Sequence, residues 1–269
     1  MFIPITLKGK LFKLYLRSFH HPAKIRMQNI FGNWFFKNGL GFKNDDTKFL
    51  INANDWITRI FLLEGNYENG SVSLAKKIMQ SGGTFVDIGA NFGLFTCQVA
   101  KANNNTHVIA IEPNYKIVES LLNNIQLNEL KAQVKIVNAA VSNKVQFVGM
   151  QQGASDNLGT TKTLEGAIGS FSVLSCPLEY ILDENKLAGI ELLKIDIEGN
   201  EFDVVKNFPF DRILIKNILF EYNENAQLSF NEMKQFFVNK GFECLTIFGE
   251  SLADSPGAIP ENNIWLSRK

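Results

Sequence analysis

Val86-Asp87-Ile88-Gly89-Ala90-Asn91-Phe92-Gly93 is the stretch that decides the fold. The apolar run Phe85-Val86-Asp87-Ile88 has the length of a buried strand, and it runs into a turn flanked by Gly89 and Gly93. Leu94 to Lys101 then reads as a helix. Strand, glycine turn and helix in this order open a parallel α/β sheet. The turn lies at the strand's carboxyl end, where helix N–H groups can face a polar ligand and glycine lets that ligand approach the backbone closely.

Downstream the rhythm repeats. Val108-Ile109-Ala110-Ile111 is a second predicted strand, Tyr115 to Leu127 a helix, and Val134-Lys135-Ile136-Val137 a third strand. Residues 139–190 break the alternation. Val145 to Val148 reads as a strand and Gly153 to Asn157 as a turn cluster, so a β-rich insertion is expected, followed by a short helix over Pro177 to Leu187. Strands at Leu192 to Ile195 and Ile213 to Phe220, with helices at Glu201 to Lys206 and Leu228 to Asn239, resume the pattern. Phe242 to Phe248 and Asn263 to Leu266 complete it as a terminal antiparallel hairpin with a long connection. The expected fold class is α/β, Rossmann-like: a mostly parallel seven-stranded sheet with helices on both faces.

Upstream, residues 1–80 lack this rhythm and read as short helices and turns, with glycine breaks at Gly39-Leu40-Gly41 and near Gly65. Only Ser71 to Gln80 has clear helical spacing. The expected division is an N-terminal extension over 1–80, serving as a substrate cap, and a catalytic domain over 81–269.

Bulk properties narrow the function. The chain has 269 residues, 27 basic and 27 acidic, so no overall cationic field points to nucleic acid. The balance is uneven: residues 1–44 hold eight Lys and Arg and no Asp or Glu. This arm could lie on an anionic membrane, or pack through its apolar side with a solvated basic face, which is the plainer expectation. Three unpaired cysteines fit a reducing compartment. With no signal peptide pattern and no apolar run of the ~20 residues a membrane span needs, the expected location is cytoplasmic.

Ligands of open α/β sheets bind beyond the carboxyl ends of the strands. The segments that follow the strands are Asp87 to Gly93, Glu112-Pro113-Asn114, Asn138-Ala139-Ala140, Asp196-Ile197-Glu198-Gly199 and Glu221-Tyr222-Asn223. Glu112, 19 residues past Gly93, stands where a carboxylate can accept hydrogen bonds from both hydroxyls of a ribose. An NAD site needs a second glycine where pyrophosphate meets the backbone, and Asn91 stands there. Asp87 would also repel a pyrophosphate, whereas an ammonium and a sulfonium would be attracted. The expected cofactor is therefore S-adenosyl-L-methionine. A nicotinamide-dependent oxidoreductase and a non-catalytic adaptor that uses the basic arm are the alternatives.

The chain resembles the FkbM-type methyltransferase family. The resemblance rests on Val86 to Gly93, on Ile111-Glu112-Pro113-Asn114 and on Leu193-Lys194-Ile195-Asp196-Ile197-Glu198-Gly199-Asn200-Glu201, with Gly65-x-Tyr67-Glu68 as a lead-in. It implies a class I methyltransferase fold and methyl transfer, usually to a hydroxyl oxygen of a carbohydrate or polyketide-like small molecule. By the same analogy Ser155-Asp156-Asn157 would lie near the adenine. The expected cofactor-binding set is Asp87, Gly89, Ala90, Asn91, Gly93, Glu112, Pro113, Ala140, Asp156 and Asn157.

A hydroxyl nucleophile must lose a proton, and His20, His21 and His107 are poorly placed to take it. Asp196, Glu198 and Glu221 are the expected catalytic residues, because carboxylates at adjacent strand ends repel one another and raise at least one pKa. Glu201, beside a helix N-terminus, reads as structural. The same carboxylates suit Mg²⁺ chemically, but Glu221-Tyr222-Asn223 is an imperfect version of the Asp-Asn pair such sites use, and no metal is expected.

Overall fold

Two sheet faces, each buried by alternate residues of the same strands, organise the molecule. The computed structural model describes residues 1–17, 36, 39–52, 55–151, 162–164, 171–187, 189–197, 199, 201–222, 228–252 and 259–268. The chain opens with β1 (Ile3–Pro4), α1 (Leu7–Arg17), β2 (Leu40–Asn44), β3 (Thr47–Ile51), α2 (Trp56–Leu63) and α3 (Asn69–Ile78). Then come β4 (Gly83–Ile88), α4 (Leu94–Ala102), β5 (Thr106–Ile111), α5 (Tyr115–Leu127) and β6 (Val134–Val137). The insertion holds β7 (Ala140–Val141), β8 (Gln146–Gln151), β9 (Lys162–Leu164) and β10 (Phe171–Cys176). The remainder is α6 (Leu178–Glu184), β11 (Gly189–Ile195), α7 (Glu201–Val205), β12 (Leu214–Glu221), α8 (Phe230–Asn239), β13 (Phe242–Thr246) and β14 (Asn263–Arg268).

The main sheet has seven strands in the order β13-β14-β12-β11-β4-β5-β6. All run parallel except β14, which pairs antiparallel with both β12 and β13. This is the mostly parallel seven-stranded sheet that the alternating pattern predicts, and the class I methyltransferase architecture that the family resemblance implies. Period-two alternation splits each central strand between two cores. Phe85, Val108, Leu192 and Leu219 face one core with Phe95 and Val99 of α4 and Leu121 of α5. Val86, Ile109, Leu193 and Ile218 face the other with Leu182 of α6 and Phe237 of α8. Cys97, Cys176 and Cys244 are free and buried.

Helix boundaries follow local chemistry. Asn114 caps α5 by accepting from the Lys116 N–H, and Ser229 with Glu232 forms a reciprocal capping box at α8. The predicted β excursion is a second sheet, of order β7-β10-β8-β9.

The N-terminal region corrects the expectation of helices and turns. It contains a three-stranded sheet, β1-β2-β3, with β2 and β3 joined through the two-residue turn Asp45-Asp46. Leu40, Phe42, Thr47, Phe49 and Ile51 are buried at alternate positions, but Gly39 and Gly41 disguise the alternation as a break. Asp45 takes a left-handed φ of 50° in a turn where glycine or asparagine is the usual signal. Phe2, Phe42, Phe49 and Phe61 bury into the same core as α4 and α5. The Leu50 and Lys48 N–H groups donate to Asn124 and Asn128 of the α5 region at 2.7 and 2.8 Å, fastening this sheet to the main body.

Candidate functional site

A cleft opens at the carboxyl ends of β4, β5, β11 and β12, where sheets of this kind bind ligands. Of the residues expected there, Gly89, Asn91, Glu112, Pro113, Ala140, Asp196 and Glu221 line it. Asp87, Ala90 and Gly93 are not among its lining residues; Asp87 and Ala90 are buried and Gly93 packs against Leu121 and Cys97. Asp156, Asn157 and Glu198 lie outside the described residues.

The glycine turn is held by backbone. The N–H groups of Gly89 and Ala90 both donate to the Ile111 carbonyl at 3.0 Å, and the Asp196 N–H donates to the Ile88 carbonyl at 3.1 Å. Gly89 has φ +79°, and a Cβ there would stand 1.8 Å from the Asp196 carbonyl oxygen. Gly93 has φ +94°, and a Cβ would meet Leu121 Cδ1 at 2.7 Å. Both glycines are thus required by strand and helix packing. The surface they leave to a ligand is the backbone at Gly89 and Asn91.

Glu112 is the carboxylate at the exit of β5, only 5% exposed. Its two oxygens accept the N–H of Asn91 at 3.0 Å and that of Asn114 at 2.8 Å. Each oxygen keeps a second lone pair. Burial pushes its pKa up to about 7, against the two N–H groups that favour the charged form. Asn138 fixes the backbone beneath by donating to the carbonyls of Glu112 and Pro113 at 2.8 and 3.0 Å.

Around β11 the charges form one network. Lys194 is 2% exposed and lies in register with Asp87 on β4. Its ammonium donates to Asp196 at 2.7 Å and sits 4.7 Å from the centre of the Phe95 ring. Burial acts to lower the Lys194 pKa, but Asp196, Asp87 and Glu68 more than offset it and hold the ammonium charged. Asp87 accepts the Thr96 hydroxyl at 2.6 Å, while its Oδ1 has no hydrogen-bond partner. Burial raises the Asp87 pKa, with Lys194 and Thr96 opposing.

Asp196 and Glu221 share a hydrogen bond. Burial would raise Asp196, yet Lys194 and hydrogen bonds from Glu221 and Lys194 hold its carboxyl below the ordinary value. Glu221 is pushed up to about 9 by burial, by the Asp196 charge and by the hydrogen bond between them. At neutral pH Glu221 therefore carries the proton and donates it to an ionised Asp196. The Asp196 side chain is 27% exposed, so it keeps a face toward the cleft.

Sequence reasoning missed Tyr67, Glu68 and Lys194 as site residues. Tyr67 and Glu68 precede α3 and line the cleft, the extension's contribution among the described residues. Burial raises Glu68 to about 7, partly offset by Lys194. One signal was available: a lysine at an inward position of the apolar run Leu192-Leu193-Lys194-Ile195 must have buried partners. Glu201, read as structural, accepts the N–H groups of Ile197 and Gly199 at 3.0 and 2.8 Å. Among the described residues no group of three or more His, Cys, Asp or Glu is placed to hold a metal ion.

A family model described as "Methyltransferase FkbM domain" matches residues 87–244, which span every strand exit that lines the cleft. This chain belongs to the FkbM methyltransferase family. For this FkbM-type methyltransferase no match is found among curated proteins. Several solved structures are similar to it. A methyltransferase from Geobacter sulfurreducens shares 14% identity, with 98% of each chain covered and a TM-score of 0.44. A TehB-like SAM-dependent methyltransferase from Corynebacterium glutamicum shares 11% identity over 79% of this chain and 95% of its own, at a TM-score of 0.44. TrmK from M. capricolum, in complex with S-adenosyl-homocysteine, shares 16% identity over 73% of this chain and 66% of its own, also at 0.44. Likenesses this distant bring no residue roles to this FkbM-type methyltransferase, whose site stands on its own geometry.

Proposed function

We propose that this protein transfers the methyl group of S-adenosyl-L-methionine to a hydroxyl oxygen of an uncharged small molecule, such as a carbohydrate or polyketide-like acceptor. The observation that carries the reading is the pairing, in one cleft, of Glu112 at one strand exit with Asp196 at another. The donor set fits the cofactor. Glu112 has an open lone pair on each oxygen for the ribose hydroxyls, and the backbone at Gly89 and Asn91 offers close approach. The cofactor, when bound, supplies a methyl group on a positively charged sulfur, which is already a good leaving group.

The chain's own part is alignment and proton handling. Asp196 accepts the hydrogen bond of the acceptor hydroxyl and takes its proton as the oxygen gains the methyl group. Glu221, which also lines the cleft, donates to Asp196, so the pair presents one charge. Support for an uncharged acceptor comes from the cleft's own charges. Glu68, Glu112, Asp196, Asp203 and Glu221 line it, and no Lys, Arg or His is among its described lining residues. A phosphate or carboxylate on the acceptor would find no cationic side chain among these residues and would face the ionised Asp196.

Calorimetric titration with S-adenosylmethionine, S-adenosylhomocysteine and NADH tests the cofactor. Binding of the two adenosyl compounds and not NADH is expected, and silence toward both at millimolar concentration would refute the reading. Glu112→Ala should weaken adenosyl binding roughly ten- to a hundredfold, the worth of hydrogen bonds to a charged acceptor. Asp196→Asn should bind the cofactor nearly as tightly as the parent. Transfer of labelled methyl to a panel of neutral glycosides should fall by about 10²–10⁴ in this variant. Unchanged turnover would remove Asp196 from the chemistry.

A further inference from the structure

We propose that α1 docks this protein peripherally on the surface of an anionic lipid bilayer. The helix reads Leu7-Lys8-Gly9-Lys10-Leu11-Phe12-Lys13-Leu14-Tyr15-Leu16-Arg17. Gly9, Phe12 and Leu16 are buried against the body of the protein. That face satisfies the ordinary demand on a surface helix, and the opposite face should then be polar. It is not. Leu7, Leu11 and Leu14, spaced by four and three residues, share the outward side and are 73%, 57% and 68% exposed. Ile3 and Ile5, on the segment that leads into the helix, are 53% and 47% exposed. Folding therefore buries one apolar stripe of α1 and leaves a second in water.

The charges around the second stripe point to its occupant. Lys8, Lys10 and Arg17 are exposed and flank the leucines on both sides. The first 44 residues carry eight basic side chains and no acidic one. A stripe of leucine bordered by lysine and arginine is the arrangement of a helix lying in a bilayer interface: leucines enter the acyl boundary while long basic side chains reach the headgroup phosphates. No helix among the described residues is long and apolar enough to cross a membrane, so the contact is peripheral. A second copy of this chain is the poorer occupant, because an isologous contact through this face would set basic borders against each other. The inference does not depend on the methyl-transfer chemistry.

The test uses the full chain and sedimentation with two kinds of vesicle, phosphatidylcholine alone and phosphatidylcholine with roughly one-third phosphatidylserine. The parent should pellet with the anionic vesicles, and less so as salt rises. Leu7→Gln/Leu11→Gln/Leu14→Gln should bind them at least about tenfold more weakly. Its circular dichroism and adenosyl-ligand titration should match the parent, since the three positions are exposed and are not among the cleft's lining residues. Lys8→Gln/Lys10→Gln should bind more weakly and with a shallower salt dependence. Three results would overturn the proposal: a parent that stays in the supernatant with anionic vesicles, a triple-leucine variant that pellets as well as the parent, or a lipid-free parent dimer that the triple variant converts to monomer.

Discussion

Gly89→Ala should destabilise the fold by roughly 3 kcal/mol or more and abolish adenosyl-ligand binding. Two costs fall on one residue. The native φ of +79° is strained for any residue with a Cβ, and that Cβ would lie 1.8 Å from the Asp196 carbonyl oxygen. The obstacle is backbone, so no side chain can rotate away. Relief would require β4 and β11 to part at the cleft, breaking the bond from the Asp196 N–H to the Ile88 carbonyl and tilting the turn away from Ile111. Gly93→Ala is the internal comparison. Its φ of +94° is also unfavourable, but its new Cβ would meet Leu121 Cδ1 and Cys97 Sγ, which can shift. Urea unfolding should order the three proteins as parent, then Gly93→Ala, then Gly89→Ala. An alanine at 89 that melts no earlier than an alanine at 93 would show that the strand ends do not approach as closely as described.

Lys194→Met should cost about 3–5 kcal/mol at neutral pH, because it removes the cation from a buried cluster and leaves the carboxylates behind. Methionine keeps most of the aliphatic volume, so the loss reports charge and not a cavity. The pH dependence separates this account from simple packing. With Lys194 present, Asp196 is held ionised and the rise of Asp87 and Glu68 is restrained. Without it, all three folded-state pKa values move up, and the folded variant holds more protons than its unfolded chain. Its stability must then fall as pH rises and recover toward the parent as pH drops and the carboxyls become neutral. Thermal unfolding from pH 5 to 8.5 should show the gap between parent and variant widening with pH. A constant gap would mean that Lys194 acts by packing on Phe95 alone. Methyl transfer should also be lost, since Asp196 would no longer be held as the ionised partner of Glu221.

The two proteins probe different kinds of information. The strand-turn-helix at Val86 to Gly93 is legible because its signals are local: an apolar run of strand length, two glycines and a following helical pattern. The boundaries of α5 fall where the pattern put them, at Tyr115 and Leu127, since Asn114 caps the helix from the adjacent position. The three-stranded N-terminal sheet was not legible. Its strands are short, its glycines look like breaks, and its stability comes from Phe42 and Phe49 packing on helices of the main body.

The amino-acid sequence by itself determined the fold class and the carboxylates at the strand exits, because period, turn chemistry and spacing are written in neighbouring residues, and its motifs carried the family resemblance. Only the tertiary structure decided how each of those groups is placed. Asp87, which reads as a cofactor contact, is buried beneath the turn against Thr96 and Lys194. Gly89, which reads as room for a ligand, lines the cleft and also leaves room for the Asp196 carbonyl. Asp196 and Glu221 look equivalent in the sequence, yet Lys194 ionises the first and burial protonates the second. A pKa is set by burial and by charges within a few ångströms: Lys194 reaches Asp196 from two residues away, but burial and the meeting of Asp196 with Glu221 come only when the sheet forms.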